Sequence, residues 1–123
     1  MDIFQAAKKN DVNSLADLIR NGSDPNVKDP NGMTPLMLAI DNQSSDAIRF
    51  LVKSKVDLNL TDKFGQTALM LAAGRNNAPA VKLLIENRAN LNLVSKSRLT
   101  AFGFATDNGY KDIADLIKKA GGK

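Results

Sequence analysis

Catalysis in this chain would fall to its carboxylates, because the 123 residues include 13 Asp and Glu but no His and no Cys. The commonest general base and metal ligand is therefore missing. Asp41 and Asp107 occupy the same phase of an internal period, two units apart. A glycosidase-type pair works at about 5–9.5 Å, whereas helices stacked about 8–10 Å apart put these two roughly 16–20 Å from each other. They cannot share one scissile bond. Ser and Thr lack an imidazole to activate them. A disulfide or a thiolate metal site is impossible without Cys. Asp24 and Asp29 lack the spacing of a calcium loop, and Gly103-Phe104-Ala105 and Gly121-Gly122 match no phosphate-binding fingerprint. No catalytic residue, cofactor or metal is expected, and the search for function moves from reaction to binding.

The period that relates the two acids is written most clearly by Thr34, Thr67 and Thr100, each 33 residues from the next. The first two sit in Gly32-Met33-Thr34-Pro35-Leu36 and Gly65-Gln66-Thr67-Ala68-Leu69, and the third in Arg98-Leu99-Thr100-Ala101-Phe102. Further columns keep the register: Ala6, Ala39, Ala72, Ala105; Ile3, Leu36, Leu69, Phe102; Leu18, Leu51, Leu84, Ile117; and Asn26, Asn59, Asn92. A fixed period of this length marks a repeat array, in which each unit buries its apolar face only against its neighbours. One domain over 1–123 is expected, in four units of about 1–28, 29–61, 62–94 and 95–123.

Each unit reads as helix, turn, helix and polar loop, which makes the fold an all-α solenoid of stacked helix-turn-helix repeats with short hairpin loops. Thr34 suits an N-cap, and Pro35 suits the first helical position, where its missing N–H costs nothing. Ser44 or Ser45 can cap the second helix of that unit, and Asn77 or Ala78 precedes the equivalent helix around Pro79. Gly109 divides the last two helices. Asn26, Asn59 and Asn92 are expected to bond backbone in the loops between units.

Composition fits a soluble domain with 43% apolar and 24% charged residues. The net charge of +4 is uneven: residues 1–61 hold 7 Lys/Arg against 8 Asp, and residues 62–123 hold 10 against 5 acids. Such asymmetry can steer an acidic partner to the C-terminal half. No run of about 20 apolar residues could span a membrane. The default compartment is the cytoplasm, with a periplasmic or secreted location open if a leader preceded Met1.

Thr34-Pro35-Leu36, Val81-Lys82-Leu83-Leu84, Asp24-Pro25-Asn26 and Asp57-Leu58-Asn59 closely resemble the ankyrin repeat, over essentially the whole chain. The resemblance implies a binding scaffold. There are departures. The family's His column holds Phe4, Met37, Met70 and Gly103, so Thr–His bonding is lost and packing must replace it. Ala68 and Ala101 at the Pro column leave those helix starts less fixed, and Arg98 in place of the motif Gly argues against a sharp tip in the last unit. Asp17 and Lys118 put polar residues into apolar columns at opposite ends, which reads as two caps on a short, complete array.

In the family, hairpin tips and first-helix surfaces line a concave groove. Carried over by phase, partner-binding residues would be Met33, Asp41 and Asn42 from the second unit, and Lys63, Phe64, Gln66 and Arg75 from the third. Leu99 and Asp107 would come from the fourth. Phe64, Met33 and Leu99 are expected at exposed tips, where apolar side chains often anchor interfaces. The expected function is a non-enzymatic protein-binding module, monomeric when free, without a small-molecule substrate. It would act as an adaptor, or as an inhibitor or protective partner that covers another protein's surface. Nucleic-acid or acidic-surface binding through the basic C-terminal half is the alternative, disfavoured because no aromatic-plus-basic stacking platform is visible.

Overall fold

Helix starts are set by side chains that satisfy the free N–H groups of the first turn. The hydroxyls of Thr34, Thr67 and Thr100 each accept a bond of 3.2 Å, from the N–H of Met37, Met70 and Gly103. Eight helices result in this computed structural model, which describes all 123 residues. They are α1 (Ile3–Lys8), α2 (Val12–Arg20), α3 (Pro35–Asp41), α4 (Ser45–Lys53), α5 (Ala68–Gly74), α6 (Ala78–Glu86), α7 (Ala101–Asp107) and α8 (Lys111–Lys119). There is no strand. The odd-numbered helices stack in one layer and the even-numbered helices in another.

Ala68 and Ala101 begin their helices at the same phase as Pro35, so the expected loosening does not occur. The threonine cap fixes the start without the proline. The lost histidine is also partly replaced, since the Thr67 N–H donates to the Met70 thioether at 3.4 Å.

The second helices are capped partly from outside their own unit. Asp11 and Asn77 cap α2 and α6 directly. Ser44 occupies the N-cap position of α4 but gives its hydroxyl to the Lys8 carbonyl, at 2.9 Å. The first-turn N–H of Ala47 is taken instead by Asn10 Oδ1 of the preceding unit, at 2.8 Å. Asn10, Gln43, Asn76 and Gly109 share one phase in the turn between helices, all with positive φ.

The alanine column Ala6, Ala39, Ala72 and Ala105 is fully buried, which lets neighbouring first helices approach closely. Leu51, Leu84 and Ile117 are buried beneath the second layer. Asp17 and Lys118 are exposed in their columns at the two ends.

Three hairpins project from the stack, and each closes through its own backbone pair: Asp29 N–H to Met33 O, Asp62 N–H to Gln66 O, and Ser95 N–H to Leu99 O. They also bond to one another. Lys63 N–H donates to Asn31 O at 3.1 Å, and Lys96 N–H to Phe64 O at 3.0 Å. This approach leaves no room above two glycines. A Cβ on Gly32 would sit 2.9 Å from Lys63 N, and one on Gly65 would sit 3.1 Å from Lys96 N.

Arg98 stands at the same phase, and the expected loss of a sharp tip is not what the structure contains. Arg98 takes φ 67° and its N–H closes the turn onto Ser95 O at 2.9 Å. The reason is steric. This is the last hairpin of the stack, so no further backbone crowds its Cβ, and only the modest cost of a left-handed residue remains.

On the loops between units, Asn26, Asn59 and Asn92 accept from the backbone N–H of Asp57, Asn90 and Lys123 at 2.8–2.9 Å. Each asparagine thus ties its unit to the next.

Candidate functional site

The hairpins of the second and third units and the ends of α3 and α5 enclose one groove. Its apolar lining includes Leu38 and Leu71, at the same phase on successive first helices. Leu38 is buried and Leu71 half-buried, so the floor is only partly covered by the protein itself.

The acids and bases around this floor are not equally free. Asp29 and Asp62 hold their own turns. Asp29 Oδ1 accepts from the N–H groups of Asn31 and Met33, and Asp62 Oδ1 from those of Phe64 and Gln66, all at 2.9 Å. Asp41 ends α3, where the helix dipole disfavours a carboxylate. Arg75, the C-cap of α5, compensates from the next unit with Nη2 3.2 Å from Asp41 Oδ1. The contact is an ion pair without the alignment of a hydrogen bond, and Asp41 Oδ1 is buried with no hydrogen-bond donor. Lys8, at the phase of Asp41 in the first unit, adds a cation on the other side.

Phe64 stands on the rim, 56% exposed at the tip of its hairpin. Lys63 reaches over it, with Nζ 5.2 Å from the ring centroid and 3.0 Å from Asn31 Oδ1. The chain thus presents an aromatic face and a cation side by side, a single aromatic-plus-basic pair not expected from the sequence. Isolated exposed apolar residues are ordinary, but this one adjoins a groove with an apolar floor.

Among the residues expected from phase, Met33, Asp41, Lys63, Phe64, Gln66 and Arg75 line this groove. Met33 is not the exposed tip residue expected: it is only 9% exposed, because the chain has already turned back and paired with Asp29. Gln66 and Leu99 are half-buried at the same phase. Leu99 packs instead at the start of α7, its Cδ2 3.1 Å from where a Cβ on Gly103 would lie. Asn42 is exposed and turned to its own helix, its amide donating to Leu38 O at 2.8 Å. Asp107 is exposed at the end of α7, away from the groove. Lys8, Leu38 and Leu71 join the groove unforeseen. The pairing of Leu38 with Leu71 at the 33-residue spacing was the available signal.

One ionisable group is clearly perturbed, and it lies elsewhere. Asp11 has its carboxyl held below the usual carboxylate range by the Ser14 hydroxyl, and next by the Ser14 N–H. This is the cap of α2 and has no part in the groove.

Four pairs of helices stacked in register, with bonded hairpins on one side, define a helical repeat solenoid. A family model for ankyrin repeats, in three copies, matches residues 3–93 and 46–123, and the chain belongs to the ankyrin-repeat family. Domains of this family are generally protein–protein interaction modules and typically non-enzymatic. Among curated proteins no match was found.

Proposed function

We propose that this chain is a non-enzymatic partner that covers the surface or active site of another protein through its hairpin side. It works as a free-standing adaptor, or as an inhibitor or protective subunit. The observation that carries this reading is Phe64, more than half exposed on the rim of a groove floored by Leu38 and Leu71. An aromatic anchor beside a partly covered apolar floor is the arrangement that concentrates binding energy in protein interfaces. A standard interface needs about 800 Å² per partner, which three hairpins and the adjoining helix ends can supply.

The test uses the wild type and the Phe64→Ala/Gln66→Ala double variant as baits in the source lysate. Affinity for the captured partner is then measured with both proteins. Loss of an anchor of this kind weakens binding by about tenfold or more. Unchanged affinity in the double variant removes the groove and hairpin tip as the site.

A further inference from the structure

The three hairpins differ in charge in a way their shared backbone does not require. The turn acceptor is Asp29, then Asp62, then Ser95. The next position is Pro30, then Lys63, then Lys96, and the glycine position is Gly32, then Gly65, then Arg98. The first hairpin therefore carries Asp29 alone, the second balances Asp62 with Lys63, and the third has Lys96 and Arg98 with no acid. Ser95 still does the structural work of the missing aspartate, with its Oγ accepting from Leu99 N–H at 3.4 Å.

Arg98 keeps a left-handed backbone at φ 67°, a conformation that favours glycine, and its side chain is exposed. Lys63, Lys96 and Arg98 form no ion pair within the protein. Phe64 is exposed beside Lys63, and its carbonyl accepts from the Lys96 N–H, which joins its hairpin to the one that carries Lys96 and Arg98. The row thus offers an aromatic face flanked by cations that have no ion-pair partner.

We infer that this tip row, Phe64 with Lys63, Lys96 and Arg98, receives an extended acidic segment of the partner protein, its carboxylates on the three cations and an apolar side chain on the ring. The inference rests on the proposed protein-binding role and names the chemistry of the partner. Charge complementarity selects the acid. A protein is favoured over a nucleic acid because Phe64 is the one exposed aromatic at the tips, with no second ring beside it to stack a successive base, whereas the adjoining groove offers aliphatic Leu38 and Leu71 to apolar side chains.

The test is an NMR titration of the whole isotope-labelled chain. The probes are a short peptide alternating glutamate with leucine, its lysine-for-glutamate counterpart, and a short oligothymidylate. The acidic peptide is expected to shift the amide signals of Lys63–Gln66 and Lys96–Leu99, and to bind less tightly as salt rises. Phe64→Ala, and separately the Lys96→Gln/Arg98→Gln pair, should each weaken it by about fivefold to tenfold. Both changes lie on exposed side chains, and an unchanged amide spectrum elsewhere verifies the fold. Equal or tighter binding of the lysine peptide in the same groove overturns the inference and leaves the protein-binding role standing. Preferential binding of oligothymidylate to the tips overturns it in favour of nucleic acid. Shifts from the acidic peptide confined to regions outside tips and groove overturn both readings. No shift with the acidic peptide overturns the inference alone.

Discussion

Two alanine substitutions at one phase of the repeat separate backbone strain from steric crowding. Gly32 and Arg98 have nearly the same backbone, φ 77° and 67°, but different surroundings. Gly32→Ala places a Cβ 2.9 Å from Lys63 N and 3.1 Å from Asp62 C, so backbone must move. A left-handed alanine costs about 1–2 kcal/mol, and a clash that displaces packed backbone adds about 1–3 kcal/mol. Gly32→Ala should therefore destabilise by about 2–5 kcal/mol in total. Arg98→Ala exchanges one L-residue for another at the same φ, and should stay within about 0.5 kcal/mol of wild type. Urea denaturation followed by far-UV circular dichroism measures both, with thermal midpoints falling roughly 3–6 °C per kcal/mol as a cross-check. Equal destabilisation by the two substitutions, or a Gly32→Ala protein within about 1 kcal/mol of wild type, refutes the crowding argument.

Three further outcomes follow from bonds between or within units. Asn10→Ala removes the acceptor for Ala47 N–H and also puts alanine at φ 58°, so it should cost about 1–3 kcal/mol, with amide exchange accelerated first in the opening turn of α4. Asn59→Ala leaves Asn90 N–H to water and should cost about 0.5–1.5 kcal/mol in urea titrations, less than the buried Thr67→Val, which strips α5 of its cap. Asp11 gives a pH dependence: its folded carboxyl titrates below the unfolded one, so its stabilisation is present above the usual carboxylate range and is lost as pH falls through the lowered value. The difference in urea midpoint between wild type and Asp11→Ala should therefore shrink on acidification below about pH 4, and a gap that stays constant there would contradict the assignment.

The parts of this fold legible in the sequence are those decided within a few residues. Thr34, Thr67 and Thr100 cap helices that begin beside them, and the alanine column falls where first helices touch. Contacts across units were less legible. Asn10 caps a helix 37 residues away, and Arg75 pairs with Asp41 of the unit before. Such contacts depend on the offset between stacked units, which a period does not contain. Met33 shows a related limit: phase places a residue beside the tip but does not say which way its side chain turns. Arg98 departs from the family pattern without losing the turn, because the demand for glycine comes from the neighbouring hairpin rather than from the turn itself. The groove was foreseen as a region, while its floor of Leu38 and Leu71 was not, since both resemble ordinary core leucines.

The asparagine ties have a mechanical meaning. Each of Asn26, Asn59 and Asn92 binds a backbone N–H 31 residues further on, so each unit is fastened to its successor by a clasp. Tension applied to the two ends of the chain therefore loads these clasps in series, and the chain should lengthen in steps as single units detach. A partner that spans the hairpins of the second and third units would bridge the junction between those units in parallel with the Asn59 clasp, and would raise the force needed to open that step alone.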